Sequence, residues 1–390
     1  MKTLKKYVAL LALASLVLGP MQALAATATT TLSNGGGTGN GPIVIAKWEM
    51  DGPWASYLGT DAIMTGSGNA GSQMLPSGQY QVNKTVAICG IVTDANGRDF
   101  VSNLYGDVYY PTTVSLGSSH VDPITGQNRE VKTCGEMVRE CTMTRLTDAN
   151  AFNLFCTNIR NNNSSLPVFA ANYNYANVCD DANAGVLAKK TAYAYCCDFT
   201  MSYEDPAGSY KVNVWGTNGA GANGSPLSNQ MQYLTTKAFD VDFTAIDYGT
   251  VVPSVWKPVA GDTTWTATPG MNSATIRNVS STPLQIGVWQ NDMGIKDPDG
   301  TTYVTYGAAI GSGSAYTTYG PNLTMSTTDP THKATPIIKY LKLSEKNELD
   351  FEVKVSKFPE QLAGPFIGTV ELSATNIAQL PCPNTNPTNY

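Results

Sequence analysis

Gln79–Thr93, QYQVNKTVAICGIVT, is the stretch that decides the fold. Val82, Val86, Ile88 and Val92 all fall at even positions, and an extended chain sends residues two apart to the same face. Asp94-Ala95-Asn96-Gly97 follows, with Asn and Gly able to take the positive φ of a tight turn. Phe100–Tyr110, FVSNLYGDVYY, then reads as the partner strand, stopped by Pro111. The pattern predicts antiparallel β-structure.

Working outward, Ile43–Met50 (IVIAKWEM) reads as an earlier strand ending at Asp51-Gly52. Thr191–Tyr203 and Ser209–Trp215 read as a second hairpin around Glu204-Asp205-Pro206-Ala207-Gly208. Short strands punctuated by turn residues indicate a β-sandwich. Between the strand pairs, roughly 112–190 has a different texture. Thr133–Cys141 and Asp148–Arg160 carry helix-compatible spacings such as Phe152, Phe155 and Cys156, and Asn161–Ser165 breaks any helix. A loop of that length without staples is unusual in a compact domain, so a cysteine-stapled elaboration is expected.

A second domain begins near Lys237. Ala238–Phe243, Ile246–Pro253, Ser273–Val279, Leu284–Trp289, Leu349–Val355 and Phe366–Ala374 again show period-two alternation, with a turn at Gly364-Pro365. The expected fold class is all-β: two immunoglobulin-like β-sandwich domains, the first with a Cys-rich, partly helical insertion. Its organisation is a signal peptide at 1–25, a flexible arm at 26–42, a first sandwich at 43–236, a second at 237–376 and an irregular tail at 377–390. The arm joins Thr-rich 26–33 to the glycine-rich stretch Asn34–Gly41, which is expensive to hold in one conformation.

Lys2, Lys5 and Lys6, the apolar run Tyr7–Leu18 and the small-residue site Ala23-Leu24-Ala25 form the signal. The run is shorter than the roughly 20 residues a membrane span needs. Cleavage after Ala25 leaves 365 residues with 21 basic against 30 acidic side chains, a formal charge of −9. Without a basic block, nucleic acid is a poor partner. No later hydrophobic run reaches spanning length, so no membrane span is expected after cleavage.

Cys89, Cys134, Cys141, Cys156, Cys179, Cys196, Cys197 and Cys382 all follow the signal, and an even count in an exported chain reads as disulfides. Eight cysteines allow on the order of a hundred pairings, so connectivity stays open. Adjacent Cys196 and Cys197 should bond different partners, because neighbouring strand residues face opposite sides. Cys382 either reaches the first domain or bridges to another molecule. There is no Cys-x-x-Cys pair, and only His120 and His332 supply imidazoles, so no resident metal or other cofactor is expected.

Nothing demands catalysis. The chain lacks a Gly-x-Ser-x-Gly elbow, a His-Glu-x-x-His pair and a phosphate-cradling glycine loop before a helix. Both histidines sit in turn-like contexts, and Glu204-Asp205 and Asp180-Asp181 read as solvated turns or helix caps. Asp297 and Asp299, in Asp297-Pro298-Asp299-Gly300, are a weak calcium candidate without EF-hand spacing. Asn83, Asn162, Asn163, Asn223, Asn278 and Asn322 stand in glycosylation sequons.

Asp247–Pro253 (DYGTVVP), Thr275–Val279 (TIRNV) and Leu362–Leu372 (LAGPFIGTVEL) resemble β-sandwich modules of secreted archaeal and bacterial surface proteins and of fibre-forming biofilm matrix proteins. Lys47-Trp48-Glu49, Val92–Gly97 and Pro206–Val212 resemble the preceding domain of two-domain exported proteins of methanogens. The nearest named resemblance is to the major sheath protein family of filamentous methanogenic archaea. It implies a self-assembling extracellular component of the envelope: a sheath, an S-layer-like array or a filament. The expected partner is the chain itself, with other envelope proteins or glycans besides. The alternative is a monomeric secreted adhesin or carbohydrate-binding protein, with Tyr193 and Tyr195 displayed on one strand face. An enzyme is not expected.

Overall fold

The computed structural model describes residues 40–58, 73–111, 137–160, 167–180, 185–203, 205–271, 273–321, 334–359 and 364–377, with the backbone of the short strands His120–Val121 and Asn128–Arg129. The expected signal peptide, almost all of the arm and the tail beyond Ile377 lie outside the described residues.

The architecture is all-β, as the alternation predicts. The N-terminal sandwich uses β1 (Ile43–Asp51), β2 (Lys84–Thr93), β3 (Val101–Tyr109), β4 (Met137–Thr142), β5 (Tyr193–Met201), β6 (Gly208–Asn218) and β7 (Leu227–Tyr233). Its first sheet runs β5-β2-β1, with Thr144–Arg145 against β5 and Val168–Phe169 against β1. Its second runs β7-β6-β3-β4, with Gln73–Met74 alongside β7.

Neither expected hairpin is a hairpin. β2 is already paired on both sides, with β1 and with β5, so the chain leaves its sheet at Gly97 (φ 100°) and enters the other as β3. The link from β5 to β6 crosses between sheets in the same way. Alternation tells which face is apolar but does not name the strand alongside. β2 also starts later than the alternation implies: Gln81 takes φ 58°, residues 79–83 turn, and Val82 is exposed.

The first sheet is buried on both faces. Every residue from Val44 to Met50 is buried, and β2 is buried from Val86 to Val92. Val86, Ile88, Val92 and Tyr195 meet Leu104, Val108, Val214 and Met231 of the second sheet. On the opposite face, Trp48, Met50, Ala87, Ile91 and Ala194 lie under α1 (Asp148–Phe152), its π-helical continuation Asn153–Ile159, and α2 (Tyr175–Cys179). Phe155 is the main contact, its ring centroid 4.9 Å from that of Trp48. Thr147 caps α1 by accepting from Asn150 N. The helical expectation for Asp148–Arg160 therefore holds. Thr133–Cys141 departs from it: from Met137 onward the chain is β4, pairing with β3.

The C-terminal sandwich uses β8 (Phe239–Val241), β9 (Trp256–Val259), β10 (Thr275–Asn278), β11 (Leu284–Gln290), β12 (Val304–Ile310), β13 (Thr317–Tyr319), β14 (Lys346–Val355) and β15 (Val370–Asn376). One sheet runs β8-β10-β14-β12-β13, with β9 continuing beside β14 beyond β10. The other places β11 between Thr335–Pro336 and β15. Leu349, Phe351, Val353 and Val355 of β14 point inward with strict alternation, against Ile276, Ile286, Val288 and Tyr306.

The sandwiches meet around residues 277–282. Ala207 N donates to Ser281 O at 2.7 Å, and Thr236 N donates to Ser281 Oγ at 3.1 Å. The Arg277 guanidinium lies 3.5 Å from the Tyr80 ring centroid and 3.6 Å from that of Trp265. Asp240 holds it with bonds of 2.9 and 2.8 Å.

Candidate functional site

Six cysteines form three disulfides: Cys89–Cys196, Cys141–Cys197 and Cys156–Cys179. Cys196 faces the helices, and its partner stands directly opposite on β2, with Cα atoms 4.1 Å apart. Cys197 faces the other sheet and reaches β4. Cys156–Cys179 ties the two helical segments of the insertion together. Cys134 and Cys382 lie outside the described residues.

The most unusual chemistry is polar and buried. A bulge at Val44–Ala46 lets Ile45 and Ala46 both turn toward the helices. Alternation then sends Trp48 and Met50 the same way and directs Lys47 and Glu49 between the sheets, where both are fully buried. Lys47 Nζ donates to Glu49 Oε1 at 2.5 Å, to Val212 O at 3.1 Å and to Asn229 Oδ1 on β7. Asn229 Nδ2 donates to Glu49 Oε2 at 2.8 Å. The three ammonium hydrogens thus have three acceptors, as a buried charge requires. Burial pushes the Lys47 amine below its usual range, and the opposing charge and hydrogen bond of Glu49 restrain the shift. Gly90, opposite Lys47, lets the sheets close here: a Cβ would meet Val214 Cγ1 at 2.9 Å. The available sequence signal was a Lys and a Glu two apart inside an otherwise apolar strand; their partner Asn229 carried none.

Other expected sites are rearranged. Asp297 accepts from Tyr303 Oη, with Lys357 Nζ at 3.7 Å, and Asp299 accepts from Thr301 N at 2.9 Å. That backbone hydrogen bond holds the Asp299 carboxyl below its usual range. Both candidate calcium ligands thus serve their own turn, and no metal-ligand cluster of three or more occurs among the described residues. Asp205 is not solvated: it is fully buried, accepting from Ser202 N at 2.7 Å and Tyr110 Oη at 3.0 Å. Asp180 is the C-cap of α2; Glu204, Asp181 and His332 lie outside the described residues, and of His120 only the backbone is described.

Among the sequons, Asn223 is exposed and Asn83 half-buried. Asn278 is 1% exposed, its Nδ2 donating to Thr282 O and Lys342 O at 2.9 Å each and its Oδ1 accepting from Ser280 N at 2.8 Å, so the folded chain has no room for a glycan there. Asn162, Asn163 and Asn322 lie outside the described residues. Tyr193 and Tyr195 are not displayed either. They line the inter-sheet core, with Arg98 and Arg145 over the Tyr193 ring.

At one end of the C-terminal sandwich a cleft of about 650 Å³ opens between residues 244–251 and 365–370, lined by Ile246, Val251, Phe358 and Phe366. Met271 and Ile367 on its rim are 67% and 81% exposed. β15, which begins at this cleft, has a strand neighbour on one side only among the described residues, and none of its residues is buried. No helix among the described residues is long and apolar enough to cross a membrane. Comparison with protein-family models and with curated proteins finds no match.

Proposed function

We propose that the chain is an exported, non-enzymatic structural subunit that assembles with copies of itself into an envelope layer or filament, as members of the major sheath protein family do. Each sandwich is then an immunoglobulin-like domain, with the boundary near Lys237. The observation that carries this reading is the edge strand β15 beside an apolar cleft with exposed Met271 and Ile367. An open edge is a template for a strand from another chain, and an uncovered apolar rim gains by being covered. The Thr-rich arm at 26–33 of a neighbouring copy is the strand suited to it. Three disulfides fit an oxidising compartment. The six described cysteines pair within the chain, so none of them is available to bridge copies, and a bridge through Cys382 is the covalent lock to test. Electron microscopy of the purified mature protein tests the reading, with the 26–33 deletion and a non-reducing gel of the native envelope alongside. Ordered polymers that the deletion abolishes support it; dispersed monomers under every condition overturn it.

One observation favours the carbohydrate-binding alternative at a different place from Tyr193 and Tyr195. On the outer face of the second sheet, Tyr105 and Trp215 stack with centroids 4.7 Å apart, and Trp215 Nε1 donates to Asp107 Oδ2 at 2.8 Å. Half-buried rings beside a carboxylate suit a sugar's apolar face and hydroxyls. Loss of oligosaccharide binding in Trp215→Ala, measured by titration against soluble hexasaccharides, would support that reading; no binding by the intact protein would remove it.

A further inference from the structure

Lys47, Glu49 and Asn229 form a set with a reaction open to it. We propose that Lys47 Nζ and Asn229 Cγ are joined by an autocatalytic intramolecular isopeptide bond, with Glu49 as the proton relay. The geometry brings the reacting groups together: the amine donates to the side-chain amide oxygen, and the carboxylate accepts from both the amine and the amide nitrogen. Burial favours the neutral, nucleophilic amine. The surrounding core holds Met231, Val212 and Val214 and keeps out the water that would otherwise compete for the amide carbon.

The step balances without a co-reactant. The Lys47 ammonium first gives one proton to the Glu49 carboxylate, which frees the Nζ lone pair. That lone pair adds to Cγ and forms the new C–N bond, while Glu49 passes its proton to Nδ2 and takes a second from Nζ. The Cγ–Nδ2 bond breaks, ammonia leaves and takes up this last proton as ammonium, and Glu49 is a carboxylate again. Nothing is oxidised or reduced.

The bond would join β1 to β7, 182 residues apart and in different sheets. No disulfide among the described residues reaches either strand, so this amide would be the covalent tie that the described disulfides do not supply. An amide at this position would carry tension from one end of the sandwich to the other and would survive reduction. This inference does not rest on the assembly reading, since a monomer would form the same bond.

Peptide mapping by mass spectrometry of the reduced, alkylated mature protein tests it. The expected result is one linked species containing Lys47 and Asn229, lighter than its two peptides together by one ammonia. Separate, unmodified Lys47 and Asn229 peptides in full yield would overturn the proposal whether or not any variant folds. Lys47→Met and Asn229→Leu should each abolish the linked species. Glu49→Gln should leave a folded but unlinked chain, and linkage at the wild-type rate in that variant would overturn the relay role of Glu49.

Discussion

Cys196 and Cys197 are consecutive in β5, yet their sulfurs lie on opposite faces of the first sheet. One disulfide closes within the sheet beneath the helical layer, and the other crosses to the second sheet. The vicinal pair therefore closes one bridge within the first sheet and one to the second, because a strand presents successive side chains to opposite sides.

The inter-sheet member of this pair should contribute strongly to stability. Cys141–Cys197 spans 56 residues, and loop-closure entropy alone assigns such a bridge about 4 kcal/mol. The double variant Cys141→Ala, Cys197→Ala is expected to lose an amount of that order in denaturant unfolding. An unchanged midpoint would show that the sandwich is held without it.

Trp48 is the anchor of the helical layer, fully buried against Phe155. Trp48→Ala is expected to cost about 3–5 kcal/mol through lost burial and the cavity left behind. Limited proteolysis should then cut within 146–190 before it cuts the strands. Simultaneous cutting throughout would place the weak point elsewhere.

Arg277 couples the sandwiches, 13% exposed between Tyr80 and Trp265 with Asp240 behind it. Arg277→Ala removes two cation–π contacts and a charge-assisted pair, a loss of about 1–3 kcal/mol. Calorimetry should show one transition in the parent separating into two in the variant. Arg277→Lys is not expected to restore the parent, since an ammonium lacks the planar face that lies between two rings.

Alkaline pH should unfold the chain from a defined onset. Burial pushes the Tyr175 hydroxyl up to about 12, and burial likewise raises Tyr233, Tyr248, Tyr306 and Tyr319 far above the usual value of 10.0. A group raised in the folded state contributes stability that is fully present below its unfolded pKa and lost as pH rises through the folded one. Melting temperature should therefore hold up to about pH 10 and fall steadily above it, in step with tyrosine ionisation followed by absorbance. A flat profile to pH 12 would contradict this.

Alternation at Val86, Ile88 and Val92 was enough to establish an all-β chain, and the even cysteine count was enough to predict disulfides, because both follow from local chemistry. The helix at Asp148 was also legible, through the spacing of Phe152, Phe155 and Cys156. Strand neighbours were not. β2 looked like half of a hairpin with β3, but the two lie in opposite sheets, since pairing is decided by which edges remain open once the other strands are in place. Tyr193 looked suited to display, and Asn278 and Asp205 to solvent; burial by distant segments withdrew all three. The Lys47–Glu49–Asn229 set was out of reach for the same reason. The sequence alone determined which residues favour strands and staples, whereas only the tertiary structure brought an amine and an amide 182 residues apart into contact, because such a contact depends on how two sheets close and not on any local pattern.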